Sequence, residues 1–107
     1  MQKSIKDQDV IKHEHSPELK KFIKEHSYLW WWVPEDKKEF LSLDSIVEAI
    51  LNYGYVKDIK KLFELVGIEN VSEIFFKHIA GKRPNYSKKT INYFNIYFQK
   101  HAHRNFN

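Results

Sequence analysis

Apolar side chains recur along the middle of this chain at a helical spacing. Leu43, Ile46, Val47, Ile50 and Leu51 fall at intervals of three and four, which lines one face of an α-helix. Ser42 stands at the N-cap position and Gly54 at the stop, as helix ends favour. The pattern repeats with Ile59, Leu62, Phe63 and Val66, with Lys57, Lys60, Lys61 and Glu64 on the other side and Gly67 closing it. A shorter helix is predicted from about Val71, carrying Ile74, Phe75 and Ile79. Upstream, Ser16, Pro17 and Glu18 supply a cap, a first-turn proline and an early acid for a helix ending near His26, with Leu19, Phe22 and Ile23 as its apolar face. After a loop containing Gly81, Pro84 and Asn85, Ser87 caps a last helix running to about His101.

One stretch breaks the period. Tyr28, Leu29, Trp30, Trp31, Trp32 and Val33 form a continuous apolar run ending at Pro34, a pattern shared by a strand and a buried helical turn. A lone strand has no sheet to join, so the run is read as a short helix or an extended plug that inserts aromatic rings into a helical core. Trp30 and Trp31 are assigned with Phe94 and Phe98 to a structural aromatic cluster. With only three glycines and three prolines, the chain lacks the turns of a sandwich or barrel. The expected fold is all-α: a small single-domain bundle of about five helices with an aromatic N-terminal plug. Residues 15–102 form the helical domain, with flexible tails over 1–14 and 103–107.

Composition narrows the class. A chain of 107 residues with 42% hydrophobic content supports one core, and 30% charged residues give it a solvated exterior. Cysteine is absent, which removes disulfides and thiolate chemistry and fits a reducing, cytoplasmic compartment. Met1 to Lys12 contains no apolar stretch resembling a signal peptide or membrane span, so neither export nor a membrane partner is expected.

Charge is distributed unevenly. The net +4 divides as +1 over residues 1–27, −3 over 28–80 and +6 over 81–107, and the last segment contains no acidic residue. Such a block attracts anions, whether nucleic acid, an acidic protein surface or the domain's own acidic middle.

The last helix carries two stripes. A turn of 100° per residue puts Ile91, Phe94 and Phe98 on one face and Lys89, Tyr93, Ile96 and Lys100 on roughly the opposite one. Either both stripes are buried in a central helix, or the second, with a ring and an aliphatic group between two cations, meets a partner. Lys82, Arg83, Lys88 and Lys89 surround the start of that helix, where they form either a solvated basic loop or an anion cradle. Arg83 is the better candidate for a specific contact, because its guanidinium can grip an oxyanion twice.

Catalytic constellations are lacking. His13 with His15 and His101 with His103 form pairs without third or fourth ligands at a recognisable spacing, so neither metal nor cofactor is expected. His26 and His78 read as helix-end or surface residues. Glu35 and Asp36 sit beside Lys37 and Lys38 in an expected turn. No phosphate-binding loop, nucleophile elbow or paired-histidine metal motif occurs, and enzyme activity is not expected.

Together, Leu29-Trp30-Trp31 with Pro34, Ile50-Leu51 leading to Gly54, Leu62 with Val66-Gly67, Arg83 followed by Ser87-Lys88-Lys89-Thr90, and Tyr93, Phe94 and Phe98 carry a resemblance. Over some 70 residues, from about Leu29 to Phe98, the chain resembles a small bacterial family of unassigned function often encoded beside AbiEii-like nucleotidyltransferase toxin genes. It departs from that pattern at Trp32, near an expected acid, at Ala49, where arginine is usual, and by one extra residue between Arg83 and Ser87. The resemblance implies the antitoxin-like half of a toxin–antitoxin pair, binding and restraining a nucleotidyltransferase-type toxin. The expected surface is Lys82, Arg83, Lys88, Lys89, Tyr93, Ile96 and Lys100. The alternative is a DNA-binding regulator with a helix-turn-helix-like core between Leu43 and Ile79 and a basic C-terminal segment on phosphates.

Overall fold

Ser16 opens the first helix. Its Oγ accepts a hydrogen bond from the Leu19 N–H at 3.2 Å, and α1 (Pro17–Glu25) follows with proline in its first turn. The computed structural model describes residues 15–81 and 84–102. Among these, every regular element is helical: six α-helices, five of them of seven residues or more, one 3-10 turn and no strand. The fold is all-α, as the apolar periodicity requires. The expected tails at 1–14 and 103–107 lie outside the described residues.

The described residues group into two units that divide between Ile46 and Val47. In the first, α1 buries Leu19, Phe22 and Ile23, the three positions its period selects. His26 ends the helix, donating from Nδ1 to the Phe22 carbonyl at 2.8 Å with its ring 4.4 Å from that of Phe22. A 3-10 turn spans Ser27–Trp30, and α2 (Glu35–Lys38) is one turn long. Lys38 joins them. Its Nζ donates to the Ser27 carbonyl at 3.1 Å and to Glu35 Oε1 at 2.6 Å, while its stem is buried.

The tryptophan run corrects one expectation. Trp30 is 1% exposed, but Trp31 is 66% exposed and sits edge-on to Trp32 at 5.8 Å. Trp31 follows the turn directly with a helical backbone, φ −60° and ψ −25°, where successive side chains point about 100–120° apart, so adjacent rings cannot all enter one interior. Trp31 therefore does not belong to a buried aromatic cluster. Glu35 and Asp36, read as a turn, form instead the first half of α2.

The helix α3 (Leu43–Tyr53) begins in the first unit and ends in the second, which goes on through α4 (Val56–Val66), α5 (Ile68–Ile79) and α6 (Lys88–His101). Ile50, Leu62, Val71, Phe75 and Phe98 are fully buried within it, each worth about 1.5–3 kcal/mol of transfer free energy. α4 packs on α5 and α5 on α6. Between α3 and α4 the backbone passes close to itself: a Cβ on Gly54 would lie 2.7 Å from the Ile50 carbonyl oxygen. Tyr55 then starts α4, its N–H donating to Asp58 Oδ2 at 2.9 Å.

α5 begins at Ile68, three residues before the sequence period suggested. One residue, Gly67 at φ 93° and ψ 131°, both ends α4 and opens α5. Its N–H donates to the Phe63 carbonyl at 2.8 Å and its carbonyl accepts from Val71 N–H at 3.1 Å. The Asn70 side chain donates to the Val66 carbonyl at 2.9 Å, satisfying an acceptor that the end of a helix leaves open.

Candidate functional site

The last helix is fixed in place before it starts. Asn52 on α3 donates to the Asn85 carbonyl at 2.9 Å, and the Asn85 amide donates to both carboxylate oxygens of Glu48, each at 3.2 Å. Next to it the Tyr86 hydroxyl lies 2.8 Å from His78 Nδ1 on α5, with the tyrosine ring 5.3 Å from Phe75. Ser87 Oγ then accepts from the Thr90 N–H at 3.1 Å, capping α6. Three residues ahead of the helix thus set its direction.

The inner face of α6 is aromatic. Phe98 is fully buried with Phe75 at 5.4 Å and Phe76 at 6.3 Å, and Phe94 packs at 6.0 Å from Phe75. These contacts assign Phe94 and Phe98 to the core. Trp30 is buried in the first unit.

The opposite face stands open. Tyr93 is 58% and Ile96 56% exposed, and Lys88, Lys89 and Lys100 are exposed as well. A shallow groove of about 450 Å³ runs along this side, lined by Lys89, Asn92, Tyr93, Ile96, Tyr97, Lys100 and His101. Tyr97 is the supporting element: it stacks on Tyr93 at 6.1 Å and 22°, lies 4.5 Å from His101, and stacks on Phe63 of α4 at 5.7 Å. The spacing of four residues on each side of Tyr97 is the sequence signal for this ladder.

Electrostatics give the face one sign. Residues 84–102 contain no carboxylate side chain, and none of Lys88, Lys89 and Lys100 makes an ion pair among the described residues. Lys82 and Arg83, assigned with them to the partner surface, lie outside the described residues. Of the seven assigned positions the structure brings Lys89, Tyr93, Ile96 and Lys100 onto one stripe, with Lys88 at its N-terminal end.

Chemically, the groove offers stacking faces, an aliphatic knob and cations. Among the described residues no group of three His, Asp or Glu side chains is arranged to hold a metal ion. No helix among them is long and apolar enough to cross a membrane. A second exposed apolar group, Tyr53, Tyr55 and Val56, marks the α3–α4 link and was not singled out by periodicity. No family model, curated protein or solved structure matches this chain.

Proposed function

We infer that the chain is a non-enzymatic protein-interaction module that docks an acidic partner through the outward stripe of α6. A single observation carries this: Tyr93 and Ile96 are more than half exposed on a helix whose other face is already packed, between lysines that pair with no described carboxylate. An anchored ring beside an aliphatic side chain, rimmed by cations, has the make-up of an interface centre. The sequence resemblance supports a nucleotidyltransferase-type toxin as that partner and this chain as its antitoxin-like half. Such active sites are lined by acidic metal ligands, to which a cationic face is complementary.

A duplex-binding role asks α5 to present base-reading side chains. Its exposed positions include Asn70, Glu73 and Lys77, and a carboxylate at the centre of such a face opposes the phosphate field. The interaction reading is tested by affinity purification from the native host with wild type and with the Tyr93→Ala/Ile96→Ala variant as bait. It expects a nucleotidyltransferase-type protein with the first and its loss with the second. Recovery of no such protein, or equal recovery by both, would sink it.

A further inference from the structure

The open stripe on α6 has the geometry of a helix-pairing seam. Lys89, Tyr93, Ile96 and Lys100 are spaced four, three and four residues apart, the alternation that keeps one line of side chains facing a neighbouring helix. The groove lining adds the remaining corners. Lys89, Asn92, Tyr93 and Ile96 form one diamond of positions i, i+3, i+4 and i+7, and Tyr93, Ile96, Tyr97 and Lys100 form the next. Each diamond is the hole into which a knob from a second helix fits.

Charge selects the partner. A second copy pairing through this seam would set Lys89 against Lys100 when antiparallel, or each lysine against itself when parallel, and like charges so placed repel. The two lysines are separated by eleven positions, a rise of about 16 Å. We propose that the seam takes an acidic amphipathic helix of about three turns, with an apolar ridge entering the holes beside Tyr93 and Ile96 and carboxylates at its two ends meeting Lys89 and Lys100. This rests on the interaction reading above and specifies the element of the partner that α6 contacts.

The probe is a pair of synthetic 18-residue helical peptides sharing one leucine ridge, one with glutamates and one with lysines at two flanking positions eleven residues apart. Both are titrated into the full chain labelled with nitrogen-15. The glutamate peptide is expected to shift the amides of Tyr93, Ile96 and Lys100, to bind at least about tenfold more tightly than the lysine peptide, and to weaken with added salt. Binding should fall about tenfold again in Tyr93→Ala/Ile96→Ala. Equal affinity for both peptides, or shifts centred on another element, overturns the proposal. So does a single-stranded oligonucleotide that shifts the α6 amides where the glutamate peptide does not. If purification recovers the toxin-type partner through Tyr93 and Ile96 while the glutamate peptide leaves α6 unshifted, the helix proposal fails and the interaction module stands.

Discussion

The rings of Phe75 and Phe98 meet with centroids 5.4 Å apart, and both side chains are fully sealed from solvent. This contact joins α5 to α6 and fixes which side of α6 is left over. Because Phe98 points inward, Tyr93 and Ile96 point out. Stability is therefore carried by one set of residues of this helix and the proposed binding by another.

Phe98→Ala should lower unfolding free energy by about 3–5 kcal/mol, through lost transfer energy and the cavity left among aromatic rings. Tyr93→Ala should cost no more than about 1 kcal/mol, since it loses one stacked partner and little burial. Urea denaturation of the two variants measures the difference; similar losses would mean the two faces had been misassigned.

Reversing both charges in Lys89→Glu/Lys100→Glu should leave far-UV circular dichroism unchanged and the midpoint within a few degrees. Glutamate near the start of α6 is favoured by the helix dipole and near its end is disfavoured, so the two effects oppose. Partner capture should be lost. A collapse of helicity would show instead that the stripe is needed inside the fold.

Gly67→Ala should destabilise by about 1–3 kcal/mol. The room exists: a Cβ there would meet only the Asn70 amide, at 3.6 Å. The expense is in the backbone, since φ 93° with ψ 131° is a conformation that residues with side chains rarely adopt. Thermal unfolding reads the loss, and an unchanged midpoint would mean the junction relaxes without strain.

Ser87→Ala removes the side-chain acceptor of the Thr90 N–H and should cost about 1 kcal/mol. Hydrogen exchange should quicken in the first turn of α6 and leave α4 unaffected. Uniform acceleration across α4 to α6 would show that the cap supports the whole unit.

Much of this was legible in the sequence. α1, α3, α4 and α6 lie where apolar spacing and the caps Ser16, Ser42 and Ser87 put them, because these signals act within a single turn. The start of α5 escaped because glycine ordinarily ends a helix, and only its tertiary setting lets Gly67 also begin one. Trp31 escaped because an apolar run has no period to say which ring faces inward. In α6 the two faces were readable, but Tyr97 lies between them, and its role depends on Phe63 arriving from a separate helix. The cationic character of the site was visible at once, as no acid occurs after Glu73.

All three tryptophans stand at consecutive positions in the first unit, one sealed and one open to water. Their fluorescence is an optical label for the first unit, while most of the helical dichroism comes from α3 to α6. An unmodified sample thus carries two spectroscopic channels, and following both through a melt compares the cooperativity of its two halves without a dye or an engineered probe.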